Sequence, residues 1–293
     1  MGEAVAGIVA NPASERDIQC LRSALRVAGV GRVMVWTEAG KTIGTVRRMV
    51  DAGAGVIICL GGPGTMRAAA AACGDVPLLT LPTESTEAFP EPTVAGLAAG
   101  LLASHQVDTD LVTNRATVLE VATKARREIA LTDVSVSATQ RWDPASLTEL
   151  YCTFAVPDGI GLSSIPGRLC PSPKSTVDGV AVSLGPVDET PYVVQAPIAP
   201  GVVQPVGVRG WSVLYPGVRV DLAAAGGSIA LDGEPHFVLK PGESAFVELK
   251  PEGPWCVDVR AVMAEAARTG LLLGRKPKGT FAASHLVNAP FTG

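Results

Sequence analysis

The stretch VIICLGGPGTMRAAAAACG, residues 56–74, decides the fold that we predict for this chain. It reads as a buried strand, a Gly-rich loop and an Ala-rich helix that follows Thr65. In α/β proteins the free N–H groups at the start of such a helix bind phosphate. The centre of this loop is Pro63, which has neither an N–H group nor acid–base chemistry. The stretch therefore predicts a phosphate-type loop whose central residue supplies neither an N–H group nor an acid or base.

The same alternation of strand and helix extends through the first hundred residues. Continuous apolar strands, separated by amphipathic helices, indicate a parallel sheet that is covered on both faces. The predicted strands are residues 4–10, 32–37, 55–60 and 76–82, and the helices are residues 15–28, 41–53, 66–73 and 91–106. Loops after parallel strands meet at one edge of the sheet. We therefore expect NPAS, GGPGT and PTESTEAFP to gather there and form a site.

The pattern changes from about Val107 onward. Residues 117–138 alternate polar and apolar side chains, which predicts a half-exposed antiparallel hairpin. Short β-rich pieces with Gly and Pro turns then continue to about Val259, which favours an all-β sandwich. We divide the chain into an α/β nucleotide-binding-like domain (1–107), a β-rich domain that carries LDGE (108–257), and a closing helix with a C-terminal arm (258–293).

Composition excludes several classes of protein. The 293 residues carry a net charge of −4 and no basic run, which argues against nucleic-acid binding. The longest apolar runs, such as residues 94–103, are too short to span a bilayer, and the N-terminus lacks a basic signal-peptide region. Six cysteines lie far apart without a CxxC pair, which is typical of reduced thiols. We expect a cytoplasmic protein that binds neither nucleic acid nor membrane.

Several longer motifs, in order along the chain, resemble a known family. They are GIVANPAS, GGPGT, PTESTEAFPEPTVAGLAAGL, IALTDVSVSATQRWDP, GIGLSSIPGRL, APIAPG, IALDGE and VDVRAVMAEAARTGLLLGR. Together they resemble the superfamily of NAD kinases and diacylglycerol-type lipid kinases, and within it the ATP-NAD kinase-like acetoin-catabolism protein X branch. The resemblance implies a Rossmann-like domain followed by a β-sandwich domain, with a nucleotide or small-molecule ligand between them. It also implies ATP or NAD as cofactor, Mg²⁺ as metal with unidentified ligands, and a homo-oligomer, a dimer.

The chain departs from this family at positions that matter for chemistry. The family's loop reads G-G-D-G-T, and its Asp activates the acceptor hydroxyl and organises phosphates and metal; here the position is Pro63. The next motif in related kinases is P-x-G-T-x-N. Here Glu84 replaces the glycine, Ser85 the threonine and Glu87 the asparagine. Asp232 of LDGE matches the family, as does Glu234, and the resemblance implies that this acid pair faces the cleft between the domains.

Candidate site residues follow from the loops and from the resemblance. The predicted binding residues are Asn11, Gly61, Gly62, Gly64, Thr65, Thr83, Glu84 and Ser85, and the predicted catalytic residues are Asp232, Glu234 and Glu87. Each has an alternative: GGPGT as a turn kept for folding, LDGE as an ordinary Asp-Gly hairpin, and the two glutamates of the second motif as solvated loop residues.

Two functions remain open at this point. The first is a degenerate family member that binds a nucleotide or small metabolite. The second is an active ATP-dependent kinase of NAD or a small metabolite. In that case Asp232, Glu234, Glu84 or Glu87 would replace the lost Asp.

Overall fold

The structure, a computed structural model, describes residues 3–10, 14–38, 40–82, 91–137, 150–156, 178–199, 202–222 and 226–273. Its first part alternates strand and helix, as the sequence predicts. The elements are β1 (Val5–Ala10), α1 (Glu15–Val27), β2 (Arg32–Trp36), α2 (Thr42–Asp51), β3 (Val56–Leu60), α3 (Pro63–Ala70), β4 (Leu78–Leu81) and α4 (Pro92–Ala103). Strands β1 and β3 are buried along their whole length, which explains their continuous apolar sequence.

Two late strands complete this first sheet. After α4 the chain forms α5 (Thr109–Val112) and β5 (Thr113–Arg115), and near its end it forms β17 (Trp255–Val257) and α6 (Val259–Thr269). The sheet order is β2-β1-β3-β4-β17-β5. Strand β17 pairs parallel with β4 and antiparallel with β5. Residues 113–115 and 255–257, which we assigned by sequence to the β-rich part, are therefore bonded into the α/β sheet.

Helices cover both faces of this sheet. Helices α1, α4 and α6 pack in one apolar cluster on one face, and α2 and α3 pack in a second cluster on the other. The apolar face of α1, with Ile18, Leu21 and Leu25, follows helical spacing. Helix α4 lies so close to α1 that a Cβ added at Gly100 would be 2.5 Å from the Cβ of Ala28. This close approach requires the glycine.

The β-rich part consists of two antiparallel sheets. Its strands are β6 (Val118–Thr123), β7 (Arg127–Ala130), β8 (Asp133–Ser137), β9 (Leu150–Ala155), β10 (Gly179–Gly185), β11 (Tyr192–Ala199), β12 (Val202–Leu214), β13 (Arg219–Leu222), β14 (Gly227–Leu231), β15 (Glu234–Leu239) and β16 (Ala245–Lys250). One sheet has the order β11-β12-β10-β9-β8-β14-β15 and the other β13-β16-β6-β7. Side chains of both sheets share one apolar core, so the predicted sandwich is present.

Three local expectations differ from the structure. Helix α3 begins at Pro63, before Thr65, because proline suits the first helical position, where an N–H would have no partner. Ser14 directly precedes the helix predicted at residues 15–28, where a serine is expected to cap it, and it stands at the cap position but makes no side-chain cap bond. The predicted hairpin is present as β6 and β7, and β7 is half-exposed, but the segment is more buried than predicted at β6, buried at all but its last residue, and at β8, buried at every residue.

The cysteines agree with the prediction of reduced thiols. Cys20, Cys59, Cys73, Cys152 and Cys256 are free. Burial raises the pKa of Cys59 to about 12, so this thiol stays protonated and unreactive at neutral pH. Among the described helices none is long and apolar enough to cross a membrane.

Candidate functional site

The Gly-rich loop connects β3 to α3 at the point where the strand order reverses. Strand β1 lies between β2 and β3 in the sheet. The chain therefore winds from β1 toward one edge of the sheet and from β3 toward the other edge. Where the winding direction reverses in this way, a crevice opens at the carboxyl ends of the strands. Gly62 is the N-cap residue of α3 and Pro63 its first residue. The Thr65 N–H is already bonded to the Gly62 carbonyl. Because Pro63 has no N–H group, Gly64 carries the first N–H group of α3.

The LDGE motif forms the hairpin turn between β14 and β15. Leu231 pairs with Glu234, and the two residues between them have positive φ angles, 54° at Asp232 and 76° at Gly233. Two positive φ angles define the turn type that Asp-Gly favours in two-residue hairpins. The hairpin interpretation of this motif is therefore confirmed, and the turn directs both of its acidic side chains toward α3.

Asp232 is fixed inside the protein. Its Oδ1 accepts hydrogen bonds from the backbone N–H groups of Leu131, at 2.8 Å, and Thr132, at 2.7 Å. Burial is the main cause that raises the pKa of Asp232, while the N–H donors and the neighbouring Arg67 act in the opposite direction. A carboxylate with this many partners is suited to holding the turn in place rather than to accepting a substrate proton.

Arg67, on α3, joins this turn to the α/β part. Its Nη1 donates to Asp232 Oδ2 and to the Leu231 carbonyl, both at 3.1 Å, and its Nη2 lies 3.5 Å from Glu234 Oε2. The side chain of Arg67 is only 10% exposed. Our sequence analysis missed this residue. Its signal was a single basic residue in an Ala-rich helix, four positions after Pro63 and hence on the same helix face.

Glu234 brings a carboxylate to the Gly-rich loop. A Cβ built on Gly64 would lie 2.6 Å from Glu234 Oε2, and one built on Gly62 would lie 3.9 Å from its Oε1. The Glu234 side chain is 43% exposed, unlike that of Asp232 at 4%. The loop therefore meets a solvent-accessible carboxylate from the other part of the chain, next to the position where the family's loop has its own.

A small cavity adjoins the Gly-rich loop at Gly64 and Thr65. Its volume is about 290 Å³, and it is lined by the start of α2 and the start of α3: Gly40, Lys41, Thr42, Ile43, Gly44, Gly64, Thr65 and Ala68. Both helices begin at this cavity, and helix N-termini favour anions. Lys41 adds a cation, 3.8 Å from Glu38 and largely exposed.

The structure accounts for part of the predicted site. Gly62 and Gly64 lie against Glu234, and the Thr65 side chain packs against Gly61. Asn11, Thr83, Glu84, Ser85 and Glu87 lie outside the described residues. Within the described ranges, no group of three or more His, Cys, Asp or Glu side chains could hold a metal ion.

This fold defines a class of protein, the two-domain NAD kinase and diacylglycerol kinase-like proteins. Yeast NADH kinase complexed with NADH superposes with a TM-score of 0.53 at 12% identity, covering 96% of this chain and 91% of that one. A putative diacylglycerol kinase from Bacillus anthracis str. Sterne superposes with a TM-score of 0.52 at 11% identity, covering 87% and 97%. At such identities the likeness concerns the fold alone.

Sequence comparison identifies the family within this class. Residues 5–103 match the model of the ATP-NAD kinase N-terminal domain, and residues 117–252 match that of the Acetoin catabolism protein X C-terminal domain. The chain is 36% identical over 252 residues to acetoin catabolism protein X of Cupriavidus necator, covering 81% of this chain and 70% of that protein. The chain belongs to the ATP-NAD kinase-like acetoin catabolism protein X family.

Proposed function

We propose that this protein binds a nucleotide or small phosphate-bearing metabolite at the Gly-rich loop, between its two parts, and does not perform ordinary ATP–NAD phosphotransfer. One observation carries the proposal. The first residue of α3 is Pro63, where the resemblance implies an Asp, whereas the loop's carboxylate comes from Glu234 on the opposite turn.

Ligand binding is supported by the position and chemistry of the loop. It lies at the switch point of a parallel sheet and at a helix N-terminus, which are the features that attract phosphate in α/β proteins. The adjoining cavity adds the N-terminus of α2 and the cation of Lys41. The solved yeast relative of the same fold is an NADH kinase complexed with NADH, which favours a nucleotide as the first ligand to test.

The loss of the loop carboxylate argues against efficient phosphotransfer. Removing a general base typically lowers the rate by about 10²–10⁴-fold. Asp232 is a poor substitute, because its carboxylate is buried and bonded to Arg67 and to three backbone N–H groups. A Mg²⁺ ion would need ligands beyond the described acidic pair, whose side chains already share Arg67. We therefore expect binding without normal turnover.

A second candidate function, an active ATP-dependent kinase, rests on one specific observation. Glu234 is partly exposed and lies against Gly64, so it is the described carboxylate best placed to accept a proton near the loop. Glu84 and Glu87 are the other candidate substitutes from the sequence and lie outside the described residues. Location in the cytoplasm and assembly as a homodimer remain predictions of this proposal.

The test combines binding with turnover. Thermal unfolding is followed with ATP, ADP, NAD and NADP, each with and without Mg²⁺, and NADP formation from ATP and NAD is measured separately. A ligand at 100 times its Kd stabilises a protein by about 2.7 kcal/mol, which is easily detected. We expect one of these ligands to stabilise the wild type and Lys41→Met to weaken that effect. Lys240→Met is the control, because Lys240 follows the end of β15 opposite to Glu234.

Two results contradict the proposal. If no nucleotide stabilises the wild type, the loop does not bind this class of ligand. If the wild type forms NADP at about 1 s⁻¹ or faster, the protein is an ordinary kinase and the second candidate function is favoured.

A further inference from the structure

Charged residues from α3, β8 and β15 meet at the turn that carries LDGE. The side chain of Arg67 faces it from α3, Glu234 follows it on β15, and Asp133 on β8 contacts it through its backbone. Arg67 is nine-tenths buried, donates hydrogen bonds to the Leu231 carbonyl and to Asp232 Oδ2, and forms an ion pair with Glu234. Its contacts thus run from one part of the chain to the other at the position of the candidate site.

The Glu234 side chain, in contrast, is restrained at only two described points. One is Arg67 Nη2 at 3.5 Å, and the other is the backbone of Gly64, where a Cβ would come within 2.6 Å of Oε2. Since 43% of this side chain is exposed, solvent would otherwise leave it several rotamers. The ion pair with Arg67 joins this carboxylate to the helix that begins at the loop.

We propose that Arg67 is the positioning residue of the site: its guanidinium holds the Glu234 carboxylate against Gly64, and so sets the charge that a ligand meets at the Gly-rich loop. The geometry requires an arginine. One guanidinium nitrogen bonds to Leu231 and Asp232, and a second reaches Glu234, in a planar fork that a lysine ammonium cannot reproduce.

A consequence of this arrangement is coupling between the two residues. If Arg67 fixes the Glu234 carboxylate at the loop, removing the charge of Glu234 changes the surroundings of Gly64 only while Arg67 is present. Without Arg67, the Glu234 side chain turns to solvent, and its charge no longer matters at the loop. A double-mutant cycle measures this coupling directly.

The first readout needs no ligand. The full chain is labelled with ¹⁵N-glycine, and the Gly64 amide resonance, assigned by its loss in Gly64→Ala, is compared in wild type, Glu234→Gln, Arg67→Lys and the double variant. We expect Glu234→Gln to move this resonance in the wild type and to move it by less than about half as much in the Arg67→Lys background. Glu265→Gln, which removes the acid of a surface pair with Arg268 on α6, should leave it unmoved.

The second readout rests on the proposed function and uses ADP as the probe. Removing a negative charge beside the loop should tighten ADP binding about fivefold in the wild type and less than about twofold with Arg67→Lys. The positioning role is overturned if Glu234→Gln has the same effect in the wild type and in Arg67→Lys, whether on the Gly64 resonance or on ADP affinity. If the Gly64 coupling is present but ADP binds to no variant, the positioning role stands and the proposed ligand class is overturned.

If the Arg67→Met variant folds, it provides a further test. It removes the charge entirely, and we expect it to abolish the effect of Glu234→Gln on Gly64. A full effect that persists in Arg67→Met would show that Glu234 reaches the loop without help and would overturn the proposal.

Discussion

The guanidinium of Arg67 lies 3.1 Å from the carboxylate of Asp232, a residue 165 positions later in the chain. Both side chains are at least nine-tenths buried, so this is an internal ion pair between helix α3 and the β14–β15 turn. Loss of either residue removes an ion-pair partner from the buried charge of the other, and such losses are among the most destabilising single changes in proteins.

Removal of the guanidinium should therefore lower stability strongly. We expect Arg67→Met to reduce the free energy of unfolding by about 3 kcal/mol or more, since it leaves the buried carboxylate of Asp232 with backbone donors only. Urea denaturation measures the change. The matched control is Arg268→Met, which breaks an exposed pair with Glu265 and should leave the unfolding midpoint almost unchanged. Similar losses in both variants would contradict the importance of the buried pair.

Asp232 should give stability a distinctive dependence on pH. Burial raises its folded pKa above the ordinary 3.8, so its contribution to stability is complete below that pH and is lost as pH rises through the folded pKa. Asp232→Asn removes this titration. The unfolding free energy of the variant, relative to wild type, should therefore improve as pH rises from below 3.8 toward neutrality. Denaturant titrations at a series of pH values measure it.

Glu248 should affect the pH dependence of the unfolding free energy with the opposite sign, and it therefore serves as a comparison. Hydrogen bonds from Lys250 and Arg219 lower its folded pKa below 4.5, so its contribution is present above that pH and is lost as pH falls through the folded pKa. Glu248→Gln should therefore lose stability relative to wild type as pH rises from acid. Parallel slopes for the Asp232 and Glu248 variants would show that the burial of Asp232 does not control its titration.

Packing between α1 and α4 should tolerate no extra methyl group. Gly100→Ala places a Cβ 2.5 Å from the Cβ of Ala28, and we expect a loss of about 1–3 kcal/mol of unfolding free energy from overpacking. Gly44, inside α2, has no atom within 4 Å of an added Cβ. Gly44→Ala should therefore stabilise the protein by up to about 1 kcal/mol through helix propensity. Calorimetric melting compares the two, and a stable Gly100→Ala variant would contradict the tight packing of these helices.

Restoring the family's loop residue alone should not restore a kinase. Pro63→Asp adds a carboxylate next to a loop that Glu234 already approaches, and the sequence keeps Glu84 and Glu87 in the second motif. We expect this variant to form NADP from ATP and NAD at well below about 1 s⁻¹. Combining Pro63→Asp with Glu84→Gly and Glu87→Asn should improve ATP binding more than the single change.

A second proline gives the matched control for this experiment. Pro92 also stands at the first position of its helix, α4. Pro92→Asp reports what the loss of a helix-starting proline does to stability, apart from any effect at the loop. Strong turnover in Pro63→Asp alone would contradict the interpretation that the site has been rebuilt at several positions.

Local sequence patterns predicted the elements of the first part well. The apolar run in β3 and the helical spacing of Ile18, Leu21 and Leu25 in α1 depend on neighbouring residues, and so their structures follow from short-range rules. The change of residue pattern near Val107 and the resemblance of the motifs to a family both predicted a two-part architecture, which the comparisons confirm. The Asp-Gly pair likewise predicted its own hairpin turn.

The sequence by itself thus determined most of the strands and helices, the Gly-rich loop and the LDGE turn, because each depends on periodicity or turn chemistry within a few residues. The short elements α5, β5 and β17 were not predicted. Only the tertiary structure decided that β17 returns to pair with β4, and that Arg67 binds a turn 165 residues away and directs Glu234 to Gly64. Contacts of this kind depend on how two packed layers meet, and no local pattern in an Ala-rich helix encodes the partner of its single arginine.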